Sequence, residues 1–126
     1  MTDREDLGDD LKDVLDLDEA SKRIPGGRDS VLKVAKMLLV ECPKLTGQIG
    51  EAISNDDAPL LQRTAHTLKG SANIFAAKRV KGISQQMESL GQAGNLDEAR
   101  SLFADLEREV HRLLNAVEQL TNPDTD

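Results

Sequence analysis

The residues in this sequence best suited to chemistry are His66 and Lys69, three positions apart, followed at once by Gly70. An exposed, neutral imidazole can attack a phosphoryl centre through one ring nitrogen. A lysine one helical turn away adds a positive charge, which at 4 Å contributes about 1 kcal/mol in water and about 4 kcal/mol at an intermediate dielectric constant. A histidine and a lysine taken alone are usually an ordinary solvated helix face, so this pair points to phosphoryl chemistry only together with the motif around it.

These residues fall on the polar face of a helix predicted over 57–77. Asp57 is a favourable N-cap, and Pro59 lies in the first turn, where a missing N–H is tolerated. A helical wheel separates an apolar stripe from a polar one. The apolar stripe contains Leu61, Thr64, Ala65, Leu68, Ala72 and Phe75, and the polar stripe contains Gln62, Arg63, His66, Lys69, Gly70 and Asn73. Glycine inside a helix costs about 1 kcal/mol relative to alanine, so Gly70 indicates close approach by another group.

The segment AHTLKGSA at 65–72 resembles the signature of histidine-containing phosphotransfer (HPt) domains, the four-helix-bundle intermediates of multistep phosphorelays. The resemblance runs from about Leu17 to Leu120 and includes ECPKL before the motif and Glu88, Leu90 and Gly91 after it.

The resemblance implies a role for each residue of the motif. In the family, the histidine accepts a phosphoryl group from an aspartyl phosphate on a receiver domain and passes it to another response regulator. The lysine steadies the phosphoryl oxygens, and the small residue after it lets the receiver dock. These roles carry over to His66, Lys69 and Gly70.

The resemblance also implies supporting residues. Glu88 matches a position where the family often has Glu or Gln bonded to the histidine ring; a carboxylate on Nδ1 would leave Nε2 as the nucleophile. The chain departs from the family where a glycine often precedes an alanine, since it has Ala76 and Ala77 there. The residues expected to line the docking surface, each with a plain solvated side chain as the alternative, are Gln62, Arg63 and Asn73.

The sequence has no P-loop, no kinase glycine loop and no carboxylate cluster placed to hold a metal. The resemblance explains this, because the receiver supplies the aspartate pocket and Mg²⁺. We therefore expect no cofactor on this chain, no autonomous kinase activity, and receiver domains and a hybrid sensor histidine kinase as partners. One alternative is an adaptor bundle that docks these partners without being phosphorylated; the intact motif argues against it. Another is a hydrolase with His66 as general base, which needs a pocket and a second activated group.

Composition narrows the class of protein. The 126 residues include 2% aromatics, which favours packed helices over sheets, and the net charge of −7 argues against nucleic-acid binding. No apolar run is long enough to span a membrane, and the acidic N-terminus lacks the apolar segment of a signal peptide. Cys42 is the one cysteine, and His111 is expected at the surface, far from any zinc-site spacing to His66. These features predict a cytoplasmic protein.

The apolar periodicity predicts an all-α, antiparallel up-down four-helix bundle with a short N-terminal helix, and we expect a monomer. A long parallel coiled coil is the competing architecture, against which the short breaks between helices argue. The domain is expected over 11–121, after a disordered acidic lead-in at 1–10 and before a frayed tail at 122–126.

Each predicted helix has its own boundary signals. Pro25, Gly26 and Gly27 end the short helix, Asn95 caps the last helix, and Pro43 should bend the second helix near Leu39. The predicted helices are Asp18 to Ile24, Asp29 to Ser54, the His66 helix, Lys78 to Leu90 closed by Gly91 to Gly94, and Leu96 to Leu120 stopped by Asn122 and Pro123. The second helix carries a core seam of Val31, Ala35, Leu38, Cys42, Leu45, Ile49 and Ala52.

Overall fold

A computed structural model describes residues 12–121, and in this part of the chain it shows helices and no strand. The helices are α1 (Leu17–Arg23), α2 (Gly27–Ser54), α3 (Ala58–Ile74), α4 (Lys78–Ala93) and α5 (Leu96–Thr121), and residues 12–14 are also helical. The segments 1–10 and 122–126, with the stop predicted at Asn122 and Pro123, lie outside the described residues. The all-helical prediction is confirmed for the described part.

The apolar seams predicted from sequence form the core. Every residue of the α2 seam is buried, and so is the apolar stripe of the His66 helix from Leu61 to Phe75. Ile83, Leu90 and Phe103 are partly buried and pack against this core. The periodicity predicts burial well here because each helix places residues three and four apart on the same side.

Three short turns connect the long helices in the same way. In each, an N–H two or three residues beyond the helix donates to the carbonyl five residues before it, and the residue before the donor has positive φ. The left-handed residues are Asp56 (φ 51°), Ala76 (φ 52°) and Gly94 (φ 72°). This is the Schellman pattern of helix termination. The next residue is at once the N-cap of the following helix, so the chain changes direction within two or three residues.

Two predicted helix ends are wrong. α3 ends at Ile74, not Ala77, because Ala76 takes the left-handed conformation that stops the helix. α4 continues to Ala93 instead of closing from Leu90, because Gly91 keeps helical geometry and the left-handed turn comes at Gly94. α2 begins at Gly27, close to the predicted start.

The four long helices contact one another in a closed ring, α2 to α3, α3 to α4, α4 to α5 and α5 to α2, and the most extensive contact joins α3 and α4. Gly91 allows this close approach. A Cβ built on Gly91 would lie 2.6 Å from the backbone nitrogen of Gln62 and 3.1 Å from the carbonyl oxygen of Ala58. Any side chain at this position would push the two helices apart.

α1 covers the end of α3. The Asp16 N–H donates to the Phe75 carbonyl at 3.1 Å, and the Arg23 guanidinium donates to the Asn73 carbonyl. The bond from Asp16 gives the Phe75 carbonyl, just past the helix end, a partner, and Arg23 adds a second donor to the Asn73 carbonyl, which also accepts from the Ala76 N–H at 3.0 Å. α1 therefore reinforces the turn that ends the His66 helix.

α2 is one continuous helix through Pro43, as the in-phase seam predicts. The bend predicted near Leu39 stays a prediction. Cys42 is fully buried, and burial raises the pKa of its thiol to about 12, so it behaves as a small apolar core residue.

Candidate functional site

The polar face of α3 is open to solvent at its centre. The His66 side chain is 67% exposed, whereas the Lys69 side chain, one turn further on, is 22% exposed. The helix that carries them begins at the Asp57 cap, whose side chain accepts a hydrogen bond from the Leu60 N–H at 3.1 Å. The stripe of Leu61, Ala65 and Leu68 on the opposite side is buried, which fixes the rotation of α3 and turns His66 outward.

Glu88 of α4 contacts both candidate side chains of α3, His66 and Lys69. One carboxylate oxygen, Oε2, lies 2.8 Å from His66 Nδ1, and the other, Oε1, lies 2.6 Å from Lys69 Nζ. The Glu88 side chain is 18% exposed, so the carboxylate is more shielded from solvent than the His66 ring that it contacts. One carboxylate thus links the histidine to the lysine across the α3–α4 interface.

The protonation state of Glu88 decides which nitrogen of His66 is free. Lys69 and then His66, by binding the carboxylate, hold the pKa of Glu88 below its usual range. An ionised carboxylate can accept hydrogen bonds but cannot donate one, so Nδ1 of His66 must carry the proton that lies between them. In the neutral ring, Nε2 then has the free lone pair. The arrangement presents Nε2 to solvent as a nucleophile.

Lys69 has a second partner, which the sequence analysis missed. The side-chain oxygen of Gln85 accepts a hydrogen bond from Lys69 Nζ at 3.1 Å. Gln85 lies three residues before Glu88, just as Lys69 lies three residues after His66. This matched spacing was the signal in the sequence: when the two helices run in opposite directions, it pairs Glu88 with His66 and Gln85 with Lys69. Gln85 and Glu88 hold the ammonium group beside the imidazole.

Gly70 needs no space within the molecule. A Cβ built on Gly70 would meet no atom within 4 Å, in contrast to the crowded Gly91. The bare surface therefore lies on the outside of the helix, beside His66. No intramolecular contact explains a glycine there.

The residues predicted to line a docking surface lie in different settings. Arg63 and Asn73 are exposed, one turn before His66 and two turns after it, and the Asn73 carbonyl accepts from Arg23. Gln62 is half-buried, and its backbone lies against Gly91. Their roles in docking stay predictions.

The rest of the described chain offers no candidate metal centre. Residues 12–121 contain no group of three His, Cys, Asp or Glu side chains that could hold a metal ion. His111 is exposed on α5, as predicted. Within the same residues, no helix combines the length and apolarity needed to cross a bilayer.

Comparison with known families shows where this arrangement belongs. Residues 33–120 match the model of the Hpt domain. The chain belongs to the Hpt domain family. Hpt domains are phosphocarrier modules of two-component signalling that interact with receiver and kinase partners, and the chain therefore has a role in histidine phosphotransfer. No curated protein gives a significant match to the full sequence.

Two solved structures share the fold. One is the histidine-containing phosphotransfer protein B (HptB) from Pseudomonas aeruginosa PAO1, with a TM-score of 0.72 and 22% identity over 75% of this chain and 83% of that one. The other is the HPT domain of the Hpt sensor hybrid histidine kinase from Shewanella, with a TM-score of 0.78 and 20% identity over 90% of this chain and 98% of that one. At these identities the likeness concerns the fold.

Proposed function

We propose that this Hpt domain is a phosphorelay intermediate that accepts a phosphoryl group on His66 Nε2 from a receiver-domain aspartate, or within a hybrid sensor kinase, and passes it to another response regulator. The observation that carries the proposal is the contact of Glu88 with His66 Nδ1, since it leaves an exposed Nε2 with a free lone pair.

The transfer exchanges one bond to phosphorus for another. The Nε2 lone pair attacks the phosphorus of the aspartyl phosphate, the Nε2–P bond forms, and the P–O bond to the aspartate breaks, returning its electron pair to the carboxylate. The proton stays on Nδ1, so the ring becomes positively charged. Glu88, 2.8 Å from Nδ1, stabilises that charge. The reverse sequence hands the phosphoryl group to the next aspartate.

Lys69 supplies positive charge next to the transferred group. Its ammonium has three N–H donors. Glu88 and Gln85 account for two partners in the free protein, and a donor is left for a phosphoryl oxygen. Gly70, with open space around it, gives the partner room to bring its aspartate close to Nε2. Gln62, Arg63 and Asn73 complete the docking surface in this proposal.

The proposal also covers the location, oligomeric state and helix arrangement of the domain. The domain is a cytoplasmic monomer without autonomous kinase activity, and Mg²⁺ is held by the receiver. Its helices form an antiparallel up-down four-helix bundle with α1 across one end. The closed ring of helix contacts and the short turns between successive helices support this arrangement.

Two other functions are less well supported. An adaptor that only docks receivers or kinases has no need for a carboxylate that fixes the histidine tautomer. A hydrolase would need a pocket that encloses His66, whereas the His66 side chain is 67% exposed.

Phosphoryl transfer from labelled receiver domains with Mg²⁺ tests the proposal. We expect label on the wild type that survives alkali, is lost in acid and is absent from His66→Gln. His111→Gln is the matched control, because it removes the other exposed histidine and should be labelled like the wild type. Receivers that bind the wild type without transferring label would favour the adaptor.

A further inference from the structure

The two helices that carry the site are basic within an acidic chain. Residues 58–93 contain five Lys or Arg and one carboxylate, a formal charge of +4, whereas the rest of the chain has 11 Lys or Arg and 22 Asp or Glu, a formal charge of −11. The one carboxylate is Glu88, whose two oxygens already lie against His66 and Lys69. Residues 58–93 contain no other acid.

The exposed basic residues lie on the same side as the site. Lys78, Lys81, Gln85 and Glu88 follow at steps of three, four and three residues, so they share one stripe of α4. The contacts of Gln85 and Glu88 with α3 place this stripe beside the polar face of His66. Lys78 and Lys81 are exposed.

Arg63 extends the positive charge to the other side of His66. It is exposed one turn before the histidine, so basic side chains lie on both sides of the reactive ring. We define the basic face as Arg63, Lys78 and Lys81.

We propose that the basic face docks against an acidic protein surface, and that this complementarity sets the rate of association. The identity of the partner rests on the function proposed above: it is the receiver surface around the phosphoryl-bearing aspartate. A protein can present negative charge to this face alone. An extended polyanion such as DNA would also meet the acidic remainder of the chain.

In this proposal Lys78 and Lys81 affect the association of the two proteins and not the chemical step. Lys81 lies seven residues from Glu88, about 10 Å along the helix axis, too far to bond a phosphoryl group on His66. Charges at that distance can still steer a partner, which raises association rates by about 10- to 1,000-fold at low ionic strength. The screening length is about 10 Å at 0.1 M salt and about 3 Å at 1 M, so the effect disappears as salt is added.

A pair of charge-reversed variants tests the basic face. Lys78→Glu with Lys81→Glu reverses two charges at the site, and Lys33→Glu with Lys36→Glu makes the same change, at the same spacing, on exposed positions of α2. The partner is a receiver domain that transfers label to the wild type, held in its activated state with beryllofluoride and Mg²⁺. Association is followed by stopped flow from low to high salt, and circular dichroism checks that both variants are folded.

We expect the α4 pair to associate about tenfold more slowly than the wild type at low ionic strength, and the α2 pair to stay within about twofold. The two variants should converge near 1 M salt. Equal rates for the two variants, with transfer to the wild type intact, would overturn the proposed role of the basic face and leave the proposed function standing. If no receiver transfers label to the wild type, the proposed function and this partner assignment both fail. Tighter binding of the wild type to duplex DNA than to the receiver would assign the face to nucleic acid instead.

Discussion

Gly91 of α4 lies directly against the backbone of Gln62 in α3, with room for a hydrogen and none for a methyl group. Glu88 lies one turn before this contact and His66 one turn after it. The 2.8 Å contact between their side chains therefore depends on how closely the two helices approach at Gly91.

Gly91→Ala should lower the free energy of unfolding by about 1–3 kcal/mol, because the added methyl group must displace backbone atoms of α3. Gly82→Ala is the matched control in the same helix. Its Cβ meets nothing within 4 Å, so it should raise stability by about 0.5–1 kcal/mol through helix propensity. Urea unfolding measures both, and stabilisation by Gly91→Ala would show that α3 and α4 can separate without cost.

The ionised form of Glu88 stabilises the folded state. Its pKa is lower in the folded chain than the unfolded value of about 4.3. That stabilisation is therefore fully present above the unfolded pKa and is lost as the pH falls through the folded pKa. Between about pH 5 and pH 3, the wild type should lose stability more steeply than Glu88→Gln. Glu118→Gln, at an exposed position on α5, should keep the wild-type slope, and parallel curves for all three would contradict the shift.

Lys69 should affect the rate of phosphoryl transfer without being indispensable. Lys69→Gln removes a charge whose effect is about 1–4 kcal/mol, so we expect transfer to be about 5- to 1,000-fold slower, whereas His66→Gln should abolish it. Gln85→Ala removes one of the two contacts that hold the ammonium in place and should slow transfer less than Lys69→Gln does. Single-turnover transfer measures all three. A Lys69→Gln variant as fast as the wild type would remove the lysine from the mechanism.

Ser84 is fully buried in α4, and its hydroxyl has no hydrogen-bond partner. Ser84→Ala should therefore raise the free energy of unfolding, by about 1 kcal/mol more than Ser89→Ala, the control that tests helix propensity at an exposed position of the same helix. Thermal and urea unfolding measure the difference. Equal effects would mean that the Ser84 hydroxyl is satisfied in solution.

The sequence predicts the buried stripes more reliably than the ends of the helices. A buried stripe has an apolar residue at every third or fourth position, so several residues independently indicate the same buried face. The turn after α3 has no such signal, because Ala76 and Ala77 are good helix formers. A left-handed alanine costs about 1–2 kcal/mol, which the Schellman hydrogen bonds and the contacts of α1 with Asn73 and Phe75 offset.

The positions of the candidate site residues could be predicted where one motif on one helix carries them, and less well where they depend on pairing between helices. His66, Lys69 and Gly70 lie within five residues of one helix, and resemblance to the family pointed to Glu88. The ion pair of Lys69 with Glu88 and the contact with Gln85 depend on the register of α4 against α3. That register follows from the turn at Ala76 and from the fit of Gly91, neither of which local periodicity encodes.

The burial of Cys42 has a practical consequence. Thiol reagents attack the thiolate, and this thiol is both enclosed by the core and held protonated, with a pKa of about 12. A reagent can therefore label Cys42 only after α2 opens. When reclosing is fast compared with labelling, the labelling rate reports the free energy of opening. The chain has no Trp or Tyr to follow by fluorescence. The labelling rate of Cys42 therefore measures the stability of the protein, and the stabilisation by a bound partner, without an attached dye.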